Sequence, residues 1–325
     1  MLAFDAIPTD RYTFLDEGRY QVLPTQQQVC TEHAFRTLVA RDLLNGGGLV
    51  VIKRLNMAAL PSHEAWERAY NILCREIVLL QRISIPCTVK LLHTFSEGLQ
   101  LNVVTQYIPG KTVEAHLGMC KSGPRYVRIY AETEVIDFGI QIYSILSSLH
   151  ALRPAVIHRD IKPGNIIRRP DGVYVLIDFG NARLYGSHRP LTSIDLWKPP
   201  LADTLQGIGS IGYAPPEQYP GWHEHTYVRT TPISDLYGPA VCMHQMLTGK
   251  NPITKDRQKR FSFSSLDGYA CPALVDLIGQ LLQQETHRRP QSASEVVQRL
   301  QEIEWENWAR EQIPYTTPLQ TVLTR

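Results

Sequence analysis

A chain of 325 residues, 43% hydrophobic and 20% charged, can bury a sizeable core and is too apolar for a disordered or fibrous protein. Its formal net charge of +2 is near neutral, so charge gives no case for nucleic acid or an anionic membrane as partner. The six cysteines, Cys30, Cys74, Cys87, Cys120, Cys242 and Cys271, are scattered without a C-x-x-C pair. That pattern argues against zinc and for reduced thiols in a cytoplasm.

The opening MLAFDAIPTDRY has no basic region followed by an apolar stretch, so no secretory leader is expected. Arg19–Leu23 and Phe35–Arg41 read as short strands. Asn45-Gly46-Gly47-Gly48 is a turn, and Leu49–Leu55 is a third strand that carries Lys53. From Ser62 to Ile83 the apolar residues Trp66, Tyr70, Leu73, Ile77 and Leu80 recur at helical spacing. Val89–Phe95 and Leu99–Tyr107 return to strand. Beyond Gly110 the texture turns helical. One long helix is marked by Val135, Phe138, Ile142, Leu146 and Leu149, and another by Leu274, Leu277, Ile278, Leu281 and Leu282. A last helix opens at Ser292-Ala293-Ser294-Glu295, which fits a capping box, and runs through Val296, Val297, Leu300 and Ile303. Between these helices lies one hairpin, Ile166-Ile167 and Val173–Ile177 around Pro170-Asp171-Gly172. The longest apolar stretches, Val135–Leu152 and Leu236–Leu247, contain Asp137 and Gln141 or His244 and Gln245, so they read as buried helices and not membrane spans. The expected fold is α+β and two-lobed: a small antiparallel-sheet lobe with one helix, then a larger, mainly helical lobe. The boundary falls near Tyr107–Lys111, between an extension at 1–18, lobes at 19–107 and 108–304, and a tail at 305–325.

Five fragments carry the chemistry. Val50-Val51-Ile52-Lys53 puts a lysine on the third strand. Glu76 lies in the first helix, three after Leu73 and four before Leu80, and so shares its apolar face. A carboxylate there is costly unless paired or hydrated: either Lys53 pairs with it or it sits at a wet boundary. His158-Arg159-Asp160-Ile161-Lys162-Pro163-Gly164-Asn165 follows the long helix, and Asp178-Phe179-Gly180 follows the hairpin. Alone, the latter is also an ordinary strand-ending turn. Ala214-Pro215-Pro216-Glu217 then precedes a helix carrying Asp235.

In this order the fragments resemble the eukaryotic-like, Hanks-type serine/threonine protein kinases from about Arg19 to Glu304. Gly212-Tyr213-Ala214-Pro215-Pro216-Glu217-Gln218-Tyr219 is most similar to bacterial members. The resemblance implies ATP and Mg²⁺ as cofactors and protein substrates as partners. It leaves the oligomeric state open. It makes Asp160 the partner of the substrate hydroxyl and Lys162 the neutraliser of the moving phosphoryl group. Lysine at that place goes with Ser/Thr specificity. Asn165 and Asp178 would hold the metal, Lys53 with Glu76 the phosphates. Val51, Thr105, Gln106, Ile108 and Ile167 would surround adenine. His158, Asp235 and the pair Glu217–Arg289 are scaffold. Arg159 would either support the local backbone or meet a phosphate on the activation segment, at Thr204 first and Thr192 second, with Ser193 in the same segment. Ser210 stands where a threonine commonly bonds the catalytic loop.

One departure is large. Between the first two strands, where the family has G-x-G-x-x-G, this chain has Pro24-Thr25-Gln26-Gln27-Gln28-Val29-Cys30-Thr31-Glu32-His33, without a glycine. Glycine lets backbone N–H groups approach phosphates closely. Polar side chains here either substitute for that contact or form a plain solvated loop. The function expected is ATP-dependent phosphorylation of protein Ser/Thr hydroxyls. The alternative is a nucleotide- or partner-binding scaffold with little transfer, while a small-molecule kinase fits Pro215-Pro216-Glu217 poorly.

Overall fold

The computed structural model describes residues 13–24, 35–55, 60, 62–118, 129–185, 210, 212–218, 230–250 and 265–312. Six strands build the small lobe: β1 (Phe14–Leu15), β2 (Tyr20–Val22), β3 (Phe35–Asp42), β4 (Gly48–Leu55), β5 (Leu91–Glu97) and β6 (Gln100–Gln106). They form one antiparallel sheet in the order β1-β2-β3-β4-β6-β5. Strand alternation divides β4 between the two faces. Val50 and Ile52 are buried with Leu15, Tyr20, Ala40 and Val104 on one face. Val51 and Lys53, paired in register with Thr105 and Val103, share the other.

β1 was not expected. A turn through Asp16, Glu17 and Gly18, with φ of 53°, 52° and 92°, folds it back on β2. Two residues of strand are too short to show a period of two. The turn spans the face of the sheet: the Asp16 N–H donates to Glu97 Oε1 at 3.0 Å, and His93 Nε2 lies 3.3 Å from the Asp16 carboxylate. Arg19 holds Asp42 with two bonds of 3.0 Å, tying the β1–β2 turn to the end of β3.

Helix α1 (His63–Arg82) starts at Ser62, whose hydroxyl accepts the Ala65 N–H at 3.2 Å. It lays Ala69 and Leu73 on Leu55, Leu101 and Val103 of the sheet, and carries Glu76 along the same buried stripe. The chain leaves the sheet through Gly110, at φ 139°, where any Cβ would collide with the Arg168 carbonyl. It then forms β7 (Lys111–Thr112) and the one-turn helix α2 (Val113–His116).

The large lobe follows as α3 (Glu132–Ala151), β8 (Ala155–Ile157), β9 (Ile166–Arg168), β10 (Tyr174–Leu176), β11 (Arg183–Tyr185), α4 (Tyr237–Thr248), α5 (Pro272–Leu281) and α6 (Ala293–Gln312). Small sheets β10-β9-β7 and β11-β8 lie between the helices. The core joins Phe138, Ile142, Leu146 and Leu149 of α3 to Met243 and Met246 of α4, Leu277 and Leu281 of α5, and Leu300 of α6. Each fully buried side chain of this size contributes about 1.5–3 kcal/mol. The start of α6 differs from expectation. Ser292 Oγ accepts the Glu295 N–H at 3.1 Å, but the Glu295 carboxylate reaches past Ser292 to the Gln291 N–H at 2.8 Å. Among the described residues no helix is long and apolar enough to cross a membrane.

Candidate active site

The site rests on one buried carboxylate. Asp235, in the 3₁₀ turn before α4, accepts the backbone N–H groups of His158 at 2.7 Å and Arg159 at 2.8 Å. His150 Nε2 lies 3.1 Å from the same carboxylate. These bonds hold Arg159 in the left-handed region at φ 69°, which costs a non-glycine residue roughly 1–2 kcal/mol. Gln218 adds a bond from its carboxamide to the Arg159 carbonyl at 2.9 Å. His158 is fully buried, meets Phe179 edge-on at 4.8 Å and places Nε2 3.3 Å from the Ile177 carbonyl.

On this frame sits Asp160, with both carboxylate oxygens engaged. Oδ1 accepts from the Ser210 N–H at 3.1 Å and its hydroxyl at 3.0 Å. Oδ2 accepts from Lys162 Nζ at 3.1 Å, Asn165 Nδ2 at 3.2 Å and Asn181 Nδ2 at 3.4 Å. Lys162 Nζ also donates to Ser210 Oγ at 2.7 Å, so Ser210 links the carboxylate to the ammonium. Sequence reasoning missed Asn181, His150 and Gln218. Asn181 was the most legible of the three, as a polar side chain directly after Asp178-Phe179-Gly180.

Lys53 meets the expected carboxylate of Glu76 and a second one that was not expected, Asp178: Nζ is 2.8 Å from Glu76 Oε2 and 2.8 Å from Asp178 Oδ1. Burial alone would lower the Lys53 pKa, but the two carboxylates outweigh it and raise it. Burial pushes Glu76 up, with Lys53 as the main opposing influence. Burial would also raise Asp178, yet the Lys53 ammonium dominates and holds its carboxyl at about 2. The Asp178 side chain remains 43% exposed toward the cleft.

The Ile177 N–H donates to the Asn165 carbonyl at 2.9 Å, which sets Asn165 beside the residue preceding Asp178. Asn165 spends its Nδ2 on the Asp160 carbonyl at 2.8 Å as well as on Oδ2, so its side-chain oxygen remains as a donor atom for a metal. One carboxylate and one carboxamide oxygen fit Mg²⁺, which keeps waters and phosphate oxygens as its other ligands. Among the described residues no cluster of three or more His, Cys, Asp or Glu side chains forms an all-protein metal cage.

Of the expected adenine pocket, Val51 and Thr105 face each other across β4 and β6, with Thr105 Oγ1 3.5 Å from the Val51 carbonyl. The Gln106 N–H is taken by the Lys90 carbonyl at 2.9 Å, so an adenine contact from Gln106 has to use its carbonyl. Ile108 is buried at the crossing, and Ile167 pairs with Thr112 and Val175. Glu217 and Arg289 form a two-bond pair at 2.8 and 2.9 Å with the Arg289 side chain wholly buried. Arg159 is only 4% exposed. The loop with Gln26, Gln27 and Gln28, and the positions Thr192, Ser193 and Thr204, lie outside the described residues.

A small sheet lobe over a helical lobe, with a lysine–glutamate–aspartate cluster at their junction, defines the class as the two-lobed protein-kinase fold. The chain belongs to the protein kinase family: residues 43–304 match the protein kinase domain. It is similar to serine/threonine-protein kinase B of Synechocystis, 28% identical over 92% of this chain and 50% of that protein. It also resembles serine/threonine-protein kinase F of the same organism, at 28% over 76% of this chain and 48% of the relative. PknA of Nostoc, another serine/threonine-protein kinase, is 31% identical over 64% and 34% respectively. The chain thus spans half or less of the length of these relatives.

Proposed function

We propose that this chain, with ATP and Mg²⁺, transfers the γ-phosphoryl group to Ser/Thr hydroxyls of protein substrates. The observation that carries the reading is Lys53 Nζ at 2.8 Å from both Glu76 and Asp178. An ammonium so fixed is preorganised for phosphate oxygens and costs no reorganisation during reaction. Asp160 orients the acceptor hydroxyl and takes its proton as the new O–P bond forms and the bond to the ADP oxygen breaks. Lys162, held by Asp160 and Ser210, offsets charge on the moving group. Mg²⁺ held by Asp178 and Asn165 would neutralise the phosphates there. In this reading the small and large kinase lobes meet near residues 107–108, with β1 (Phe14–Leu15) added to the small lobe ahead of residue 19 and α6 carrying the large lobe past residue 304 to Gln312. The free thiols Cys74, Cys87, Cys242 and Cys271 suit a reducing cytoplasm. Phosphate on the activation segment falls on Thr204 first, then on Thr192 or Ser193.

The glycine-free loop favours a second reading, a nucleotide- or partner-binding scaffold with little transfer. Incubation of the purified chain with labelled ATP, beside Asp160→Asn, decides between them. Label entering the parent's own Ser/Thr or added protein, and lost in the variant, supports transfer. Nucleotide binding without label supports the scaffold.

A further inference from the structure

The end of α6 holds two indoles that the kinase site does not use. Trp305 and Trp308 are 65% and 51% exposed, with ring centroids 4.9 Å apart. Tryptophan is highly buried on average, and an exposed apolar patch marks an interaction site. Glu132, at the start of α3, draws further apolar surface to the same corner. Its Oε1 accepts from Asn307 Nδ2 at 3.0 Å, one residue before Trp308. Its Oε2 accepts the N–H of Cys271 at 3.1 Å, at the start of α5. The segments that meet there carry Ile129 and Tyr269, both exposed, within three residues of the junction.

The rim of this corner is acidic. Residues 129–134, 265–271 and 300–309 hold Glu132, Glu134, Asp267, Glu302, Glu304 and Glu306 and not one lysine or arginine, in a chain of formal net charge +2. Glu132 spends its oxygens on an amide and a backbone N–H, Glu302 accepts from Gln298 Nε2 at 3.0 Å, and Asp267 accepts from Ser265 Oγ at 2.6 Å. Those donors are neutral and leave the carboxylate charges unbalanced. Of the flanking cations, Arg299 is engaged by Gln280 and Asp276, and Arg310 is placed on the far side of the helix from both indoles. Two copies joined symmetrically through this corner would set like charges together, and an anionic membrane is disfavoured for the same reason. Arginine suits it, because a guanidinium stacks on an indole face and pairs with a carboxylate.

We propose that this corner of the large lobe docks a partner protein through a basic segment in which arginines are interspersed with apolar residues. Trp305 and Trp308 receive the apolar and guanidinium faces, and the glutamates around them select the charge. The proposal goes beyond the kinase reading and stands without it, since none of these residues belongs to the phosphoryl-transfer site.

The test titrates the full chain with three fluorescent peptides that share their leucines and carry arginine, glutamine or glutamate at the remaining positions. The arginine peptide should bind tightest and the glutamate peptide weakest. Changing Trp305→Ala and Trp308→Ala together should weaken the arginine peptide at least about 10-fold, the scale of losing an aromatic anchor. Glu302→Gln with Glu304→Gln should shrink the preference for arginine over glutamine, which lost packing alone would not do. Both variants should unfold in denaturant as the parent does, because the altered side chains are exposed. Binding indifferent to peptide charge, or unchanged in the tryptophan variant, overturns the proposal. So does a parent dimer that the tryptophan variant dissolves, which would assign the corner to a second copy. Binding to phosphatidylcholine vesicles that is lost in the same variant would assign it to a membrane and overturn the proposal equally.

Discussion

Asp235→Asn is the most direct probe of how the helical lobe holds the catalytic loop. The carboxylate accepts two buried N–H groups, from His158 and Arg159, at 2.7 and 2.8 Å, with Asp235 itself 3% exposed. Asparagine offers one oxygen, so one N–H must face an amide NH₂ and goes unsatisfied. A buried donor left without a partner costs about 1–3 kcal/mol. Asp235→Ala orphans both donors and should cost roughly twice that, a large share of the ~5–15 kcal/mol that holds a domain. The left-handed Arg159 depends on the same bonds, and its relaxation would displace Asp160, its neighbour. Denaturant unfolding should therefore show Asn intermediate between parent and Ala, and phosphoryl transfer should fall faster than stability. Asn within about 0.5 kcal/mol of the parent, a typical surface-substitution effect, would falsify the reasoning, because the N–H groups would then have other acceptors.

Lys53→Met should slow transfer by at least ~10²-fold, the scale of losing a preorganised charge at a charged transition state; a silent change in single-turnover assays would place the phosphates elsewhere. Asp178→Ala should abolish transfer while unfolding stays cooperative, since it removes a metal ligand and not core volume; equal activity in parent and variant refutes the metal assignment. Asp178 is held at about 2, below its ordinary 3.8, so the native state binds this proton less readily than the unfolded chain. Its contribution is complete above about pH 4 and fades as pH falls toward 2; acid titration should find Asp178→Asn without this part of the loss. Changing Gln26, Gln27 and Gln28 together to Ala should weaken ATP binding and leave adenosine binding intact if those amides replace the glycine lid. Unaltered calorimetric affinity for ATP would assign the phosphates to Lys53 and Mg²⁺ alone.

Much of the proposed site was legible because phosphotransfer demands charge at fixed stations along the chain. Lys53 and Glu76 stand out as charged residues where a strand or helix pattern calls for apolar ones, while Asp160, Asn165 and Asp178 were legible through the order of the fragments that resemble the kinases. The pairing of Glu76 with Lys53 followed from burial, since a carboxylate on the apolar stripe of α1 needs a cation. Other contributors could not be read this way. His150 ends an amphipathic helix and looks like any boundary residue, yet tertiary packing carries it to Asp235. Gln218 and Asn181 act through side-chain amide hydrogen bonds across sequence separations of 59 and 21, which no periodicity encodes. β1 escaped because its pairing depends on a turn of positive φ at Asp16 and Glu17, a conformation that aspartate only mildly favours. The capping box was half right: a glutamate three residues after serine identifies the helix start, but side-chain length lets it reach one residue further back.

The turn at Asp16 has a mechanical consequence for the small lobe. By grasping Glu97 and His93, it fastens the outermost hairpin to the opposite edge strand, and the Tyr20 ring, stacked on Phe95 at 5.5 Å, fills the curve between. Among the described residues β1 and β5 do not pair with each other, so the tie is made by side chains across an open sheet. A sheet braced across its width resists shear better than an unbraced ribbon. β4, which bears Lys53, and β6, which bears Thr105, are constrained to travel as one piece when the cleft opens or shuts. On the proposed function, phosphate and adenine contacts are then made and released together.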